Sequence, residues 1–398
     1  MAIEVRPLGI KCNLSCRYCY QTAQRSAGNI YNTYDIEIIK QSILKKRKVE
    51  KFVLFGGEPL LVPKQDIEKL WSWGFEKFGI NSIQSNGTLI DDEFIEMFKK
   101  YNVKPGISID GPGKLNDARW AGTLEKTRAA TQRTQNAIKR LCEEKIYPGI
   151  IVTLHKGNAI NEHLDAMCKW FQELDQMGIK SARLHVLEVP DNKVRNSIAL
   201  SIQENIEAHL FFAELEAKLN NLQFDVFQDI KSLLVAKDDN STCTWSACDP
   251  YTTSAVDGVE GNGQRTNCGR ENKDGIDNRK SGTPGYERYQ ALYYTPQEFY
   301  GCKGCRFFIM CKGQCPGTAI GQDWRNRTEH CEMWFALFEY FEKELISKGI
   351  TPISQQPNLY LLENAMIDIW SSGSNMPMQA ILEQLEQTSK KETEKLKN

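Results

Sequence analysis

Cys12-Asn13-Leu14-Ser15-Cys16-Arg17-Tyr18-Cys19-Tyr20 sets three cysteines in a C-x3-C-x2-C run near the start of the chain. Thiolates are soft ligands that suit iron–sulfur chemistry, and three on one short loop hold three corners of a cubane cluster. A closed tetrathiolate site needs a fourth cysteine nearby, yet the next is Cys142. One metal position is then left without a protein ligand, which is what separates a catalytic metal site from a structural one. Taken alone, the run also fits three buried or zinc-binding cysteines.

The residues beyond this stretch give the fold class. Short apolar runs at Lys51–Phe55, Ser82–Gln84, Lys104–Ile109, Gly149–Leu154 and Ala182–Leu187 read as buried strands. Helical periodicity lies between them, at about 35–48, 64–78, 91–101, 124–145 and 160–177, and again at about 199–221. Asp91 and Asn161 stand where N-caps belong, and Gly79 and Gly178 where helices end. Repeated βα units predict parallel strands with helical crossovers, here an α/β partial (β/α)6 barrel over residues 1–225. Functional residues of such barrels sit at the carboxyl ends of the strands.

Those ends are informative. The strand at 51–55 leads into Gly56-Gly57-Glu58-Pro59, where glycines permit close backbone approach and Glu58 offers a carboxylate to a cation. Later ends carry Asn86-Gly87, then Ser108 and Asp110-Gly111, which are turn formers first. Arg119 is a candidate partner for a carboxylate or an ordinary surface cation. His155, and His185 with Glu188, end the fifth and sixth strands facing the barrel mouth. His163, His209 and His330, and Cys142 and Cys168 within helical patterns, read as structural.

The pattern changes near residue 223. A stretch at about 239–285 is dense in Gly, Asn, Asp and Arg and buries too little apolar surface to order itself. Eight of the 13 cysteines lie from Cys243 to Cys331. Cys302-x2-Cys305-x5-Cys311-x3-Cys315 is followed by Cys331, and Cys243, Cys248 and Cys268 precede it, with Gly263 giving Gly-x4-Cys. Eight ligands suffice for two tetrathiolate sites, of iron–sulfur or of zinc-ribbon type. Region 226–348 is therefore a cysteine-stapled domain. Its last part, about 334–345, reads as a closing helix; 349–398 is a helical extension with an apolar stripe at Met378, Ile381, Leu382 and Leu385.

The N-terminal run, with Tyr18 before its third cysteine, resembles the signature of the radical SAM superfamily, and Gly56-Gly57-Glu58 resembles that family's GGE motif. The later cysteines resemble its SPASM extension. The resemblance implies that Cys12, Cys16 and Cys19 hold a [4Fe–4S] cluster whose open iron binds S-adenosylmethionine (SAM). It implies SAM contacts from Tyr18, Gly56, Gly57, Glu58, Asn86, Ser108 and Asp110. Two auxiliary [4Fe–4S] clusters would be held by Cys243, Cys248, Cys268 and Cys315, and by Cys302, Cys305, Cys311 and Cys331.

Most members of that group modify ribosomally made peptides, forming carbon–carbon, thioether or ether cross-links, and that is the activity expected here. Anaerobic sulfatase maturases, which make formylglycine from Cys or Ser, are the alternative. They usually carry an aspartate base directly after the ligand matching Cys268, where this chain has Gly269. Asp249, Tyr251 and Asp257 are other acids near in sequence. A radical dehydrogenase or epimerase and a non-enzymatic iron–sulfur electron carrier complete the alternatives. The expected partners are a peptide and an external one-electron reductant of flavodoxin or ferredoxin type; because Cys12 begins the barrel almost at once, a leader is expected to be read by a standalone leader-binding protein or by the region 350–398.

Composition narrows the setting. Lys plus Arg number 50 against 51 Asp plus Glu, so no net field recruits nucleic acid or an acidic membrane. No apolar run is long enough to span a bilayer and no signal-peptide core is present. A cytoplasmic, reducing setting is expected, where cysteines in such numbers ligate metal.

Overall fold

Ile3 and Val5 of β1 (Ala2–Arg6) are fully buried, while Glu4 and Arg6 lie on the opposite face. A computed structural model describes residues 2–28, 32–45, 49–188, 191–239, 241, 243–249, 256–270 and 285–395. In it β1 pairs in parallel with β2 (Lys51–Leu54), and the sheet continues through β3 (Asn81–Ser85), β4 (Val103–Ser108), β5 (Gly149–Leu154) and β6 (Ser181–Val186). β7 (Gln223–Phe224) adds a short parallel edge to β6.

The crossovers carry α1 (Thr22–Ser26), α2 (Ile36–Leu44), α3 (Lys64–Phe78), α4 (Asp92–Lys100), α5 (Leu124–Glu143), α6 (Asn161–Gln176), α7 (Asn192–Ile198) and α8 (Ile202–Glu216). Local chemistry sets their ends. Asp91 accepts the Phe94 N–H at 3.1 Å to start α4, whose first turn is acidic and last turn basic, as the helix dipole favours. Gly79 takes φ +71° to close α3. Asn161 is not the cap of α6: extended backbone at Ile160 makes that residue the N-cap, and Asn161 is the first helical position. The core under these helices is aromatic, with Trp71 against Phe94 and Phe98, and Phe171 against Phe212 and Phe224.

Burial alternates along the strands. Phe52, Leu54, Ile83, Ile107, Val152, Leu154 and Leu184 are buried, whereas Glu4, Gln84, Ser108, Thr153 and His185 stay partly accessible. The partly accessible face is polar, which gives the barrel a lumen equipped for chemistry.

The strand pattern at 51–187 is as the sequence predicts; the return of the chain is not. β8 (Asp257–Glu260) pairs in parallel with the free side of β1, Ile3 opposite Asp257 and Arg6 opposite Glu260, and β9 (Arg265–Thr266) runs antiparallel to it. Residues 256–270 thus belong to the first compact unit with 1–226, rather than to the cysteine-rich region in which the sequence places them. Arg6 explains why. Its guanidinium, 1% exposed, pairs with Glu260 at 2.5 Å and bonds the Thr266 hydroxyl, so a buried charge is matched only when β8 and β9 are in place.

The second unit comprises 227–255 and 280–398. It contains most of α9 (Asp225–Leu234), then α10 (Glu287–Tyr294), α11 (Phe308–Cys311), α12 (Cys331–Ser347), α13 (Leu359–Ser371) and α14 (Met378–Lys395). Its core is again aromatic: Trp245 lies edge-on to Trp334 at 5.6 Å, Phe307 stacks on Phe338 at 5.3 Å, and Tyr289 meets Trp370 at 4.8 Å. Two buried cations organise the cysteine loop. Arg288 donates to the carbonyls of Lys312, Gly313, Trp324 and Asn326, and Lys312 donates to the Trp245 carbonyl and lies 3.4 Å from Asp238. The closing helix begins at Cys331 itself, and α13 and α14 lie within the expected helical extension. Met378 and Ile381 of the expected stripe are buried. The Asn272–Gly275 segment and Tyr251 lie outside the described residues. No helix among the described residues is long and apolar enough to cross a membrane.

Candidate functional site

The three-cysteine loop comes directly after β1 and is gripped from two sides. On one side lie the glycines after β2. A side chain on Gly57 would meet the carbonyl oxygens of Lys11 and Ile10 at 2.2 and 2.4 Å, and one on Gly56, at φ +123°, the Gly9 oxygen at 2.3 Å. Glu58 N–H donates to the Lys11 carbonyl at 2.8 Å. The glycine pair therefore admits the backbone entering the loop, a role that the expectation of ligand approach alone does not include.

On the other side the segment after β4 pairs with the loop: Ser15 N–H donates to the Trp120 carbonyl at 2.7 Å and Arg17 N–H to the Ala118 carbonyl at 2.8 Å. The Arg17 guanidinium sits 4.8 Å over the Trp120 ring. Tyr18, Ala118 and Leu187 form a buried apolar patch against which Cys16 packs.

Glu58 is 1% exposed. One oxygen accepts the Leu60 N–H (3.0 Å) and Ser85 hydroxyl (2.9 Å), the other the Asn86 N–H (2.8 Å). Burial pushes its carboxyl above the usual range, and these donors oppose that. Asn86 donates to the Asn13 side chain at 2.8 Å, Asn13 donates to Thr88 at 2.9 Å, and the Asn86 oxygen accepts the Thr88 hydroxyl at 2.6 Å. Glu58 and Asn86 thus form one network that reaches the cysteine loop at Asn13. Ser108, partly accessible, accepts from Gln84 at 2.8 Å on the lumen face.

Asp110 is fully buried; it accepts the Tyr18 hydroxyl and the Thr153 N–H (3.0 Å), and lies 3.6 Å from His155 and 3.8 Å from Arg119. Burial alone would raise its carboxyl, but His155, the Arg119 charge and the Tyr18 hydroxyl hold it below the usual carboxylate range. Arg119 also donates to the Tyr18 hydroxyl at 3.0 Å. The polar ends of Tyr18 and Asp110 are thus engaged with protein partners that tie the cysteine loop to the segments after β4 and β5. Arg119 and His155 share that group after the ends of β4 and β5, His155 buried and Arg119 half-buried. His209 bonds the Asn205 carbonyl within α8, a structural role.

At the carboxyl end of β6, His185 and Glu188 meet a residue that sequence reasoning misses. Arg270 pairs with Glu188 at 2.5 Å, has a guanidinium nitrogen 3.4 Å from a ring nitrogen of His185, and lies 5.3 Å over the Tyr20 ring. Its partners are scores of residues away, so only its place two residues after Cys268 marked it. Burial and the Arg270 charge push the His185 imidazolium pKa well below the usual range. Gly269 faces Arg6, Gln21 and Tyr20; a β-carbon there would lie 3.2 Å from the Arg6 guanidinium.

The thiols fit iron–sulfur ligation by their chemistry. Burial pushes Cys16 up to about 12, with Arg119 opposing and Cys19 and Cys12 adding to the rise. In the second unit burial raises Cys302 to about 12, and Cys305 and Cys331 add to it; Cys311 is raised well above normal by burial and then by Cys331, Cys302 and Cys305. Thiols gathered so that they repel one another's charge are a ligand set that a cationic cluster stabilises. Among the described residues no three such groups already converge at ligand geometry around one point. Cys243, Cys248 and Cys315 belong to the second unit and Cys268 to the first.

Residues 7–170 match the family model described as the radical SAM superfamily. The chain is 25% identical to the serine-type anaerobic sulfatase-maturating enzyme of Bacteroides thetaiotaomicron, over 87% of this chain and 92% of the relative. In fold it is similar to native anSMEcpe with bound AdoMet and Cp18Cys peptide (TM-score 0.65, 20% identity, covering 87% of this chain and 98% of that one). It is also similar to Streptococcus suis SuiB bound to precursor peptide SuiA (TM-score 0.54, 16% identity, 83% and 75%).

Proposed function

Because the chain carries a radical SAM domain over residues 7–170, we propose that it is a peptide maturase that abstracts a hydrogen from a residue of a ribosomally made precursor and leaves an oxidised or cross-linked product. It is a radical SAM enzyme of the SPASM maturase type; the substrate class is our reading. The observation that carries it is the loop of Cys12, Cys16 and Cys19, held rigidly on both sides while offering three thiols and no fourth.

Cys12, Cys16 and Cys19 would hold a [4Fe–4S] cluster with SAM on its open iron, and Cys302, Cys305, Cys311 and Cys331 a second cluster. The resemblance assigns Cys243, Cys248, Cys268 and Cys315 to a third. When bound, the first cluster supplies the electron that cleaves SAM to a 5′-deoxyadenosyl radical. The chain's own part is placement. Glu58 would offer its carboxylate to the SAM ammonium, as the resemblance implies, and Gly56 and Gly57 would bring backbone alongside. Ser108 offers a hydroxyl on the lumen face. Tyr18, Asp110 and Arg119 fix the loop from below, so that one substrate C–H bond can meet the reactive carbon without drift. The peptide and an external one-electron reductant come from outside this chain; a leader-binding protein is a further partner in this reading.

Sulfatase maturation is the second reading, favoured by similarity to such an enzyme over most of both chains. Gly269 weighs against it, since an aspartate base is expected there and Arg6, Gln21 and Tyr20 border the position instead. One experiment separates the two. The enzyme is co-expressed anaerobically with the short reading frames flanking its gene, and separately with a sulfatase fragment carrying the target cysteine. A peptide that loses a hydrogen pair and keeps its sulfur supports the first reading; exchange of the cysteine sulfur for oxygen supports the second. No peptide-dependent release of 5′-deoxyadenosine in either case overturns both.

A further inference from the structure

Oxidising a peptide by one hydrogen atom and one electron leaves a proton to be removed, and position 269 supplies no carboxylate for it. A proton acceptor must stand at the barrel mouth, near the cysteine loop, with an oxygen not already engaged. Asp110 fails, being sealed beneath the loop with its partners. Glu260 fails because its buried carboxylate is bonded by both the Arg6 guanidinium and the Thr266 hydroxyl. Asp249, in the second unit, accepts the Arg288 N–H and is fully buried.

Glu188 meets the conditions. Its neighbour Leu187 packs with Tyr18 and Ala118 in the patch that Cys16 touches. Its partner Arg270 stacks over Tyr20, the residue after Cys19. These two contacts tie the carboxylate to the cluster loop. One oxygen is held by Arg270 at 2.5 Å; the other, Oε2, is buried without a partner among the described residues. A buried carboxylate oxygen left unsatisfied is costly and calls for an explanation, and a transient bond to a substrate proton is one. His185 stands in the same group but is the poorer acceptor, since burial and the Arg270 guanidinium disfavour its cation.

We infer that Glu188 accepts the substrate proton through Oε2 and that Arg270 is the positioning residue that aims it. This rests on the oxidative reading above. The step balances: a C–H hydrogen goes to the 5′-deoxyadenosyl radical to give 5′-deoxyadenosine. One electron leaves the substrate radical for an oxidised iron–sulfur cluster. The proton leaves the neighbouring S–H, O–H, N–H or C–H bond for Glu188, and a new bond forms between the atoms so released.

The test uses the reconstituted full-length enzyme and the precursor found by co-expression. Glu188→Gln keeps the shape and an acceptor for Arg270 but removes the basic carboxylate. The readout is the ratio of oxidised peptide to 5′-deoxyadenosine formed. It should fall about 100-fold in Glu188→Gln, the scale on which a general base acts, and Glu188→Asp should recover part of it. A purely structural role would lower both products in step and leave the ratio unchanged, as would assignment of the proton to another group; either result overturns the inference. Failure of the wild-type enzyme to oxidise the precursor counts against the proposed function instead.

Discussion

Gly57 shows how much one missing side chain decides. Because the space of its β-carbon is filled by main-chain oxygens of residues 10 and 11, nothing flexible can yield. Gly57→Ala should displace the loop and lower the iron content of reconstituted protein by the share of one cluster, leaving far-UV circular dichroism near wild type; iron assay alongside the spectrum checks this. The layer below behaves differently. Removing Asp110 strands the Arg119 charge, so Asp110→Ala should cost about 3–5 kcal/mol, as breaking a buried pair does. Tyr18→Phe, which removes one hydroxyl from the same network, should cost about 1–2 kcal/mol. Urea unfolding of the metal-free protein measures both, and equal losses would contradict the network as drawn. At this scale the cysteines and the glycine–glutamate pair were legible because their spacing is local. The burial of Tyr18 and Asp110 was not, since it depends on Arg119 and His155 arriving from other strands' ends.

The elements repeat that division. β2 to β6 were readable because each lies between two clear helical patterns, even β3, where Ile83 is the one large apolar residue. β8 was not: Asp257-Gly258-Val259-Glu260 holds one large apolar residue, and its identity as a strand is supplied by pairing with β1. Among functional elements the segment 118–120 matters most, because its two carbonyls clamp the cysteine loop. Arg17→Pro deletes the N–H that bonds Ala118 and should loosen the loop. We expect faster hydrogen exchange at Ser15 and loss of iron from the first site, with the amides of β3 and β4 unchanged. Parallel loosening of β3 and β4 would mean that the clamp supports the barrel and not the loop alone.

For the whole molecule the thiols set a pH response. An ordinary cysteine has a value of 9.0, and Cys16 and Cys302 are raised to about 12 in the folded chain. Between those values the native state holds protons that the unfolded state has released, so stability falls as pH rises through that window. The metal-free protein should therefore lose thermal stability steadily above pH 9, while below pH 9 these two groups have no effect. Ligation removes the thiol protons, so cluster loading releases acid and proceeds further at the upper end of the neutral range. Tm against pH, with and without reconstitution, checks both; a metal-free curve that is flat above pH 9 would contradict the raised values.

The pairing of β1 with β8 also has a consequence for the order of assembly. Arg6 and Thr266 are 260 positions apart, yet they share a buried bond. A chain emerging from the ribosome must expose one edge of its first strand, and an unmatched charge, until most of the sequence has been made. Contacts so distant in sequence form slowly, and an open strand edge invites association with other chains. A fragment ending at residue 225 keeps β1 to β7 but has no β8 to cover that edge. It should aggregate when expressed alone and be rescued by supplying 226–398 in trans, an outcome that light scattering of the two preparations would show. The first strand made is thus among the last to be finished, and the loop that must receive iron hangs from its end.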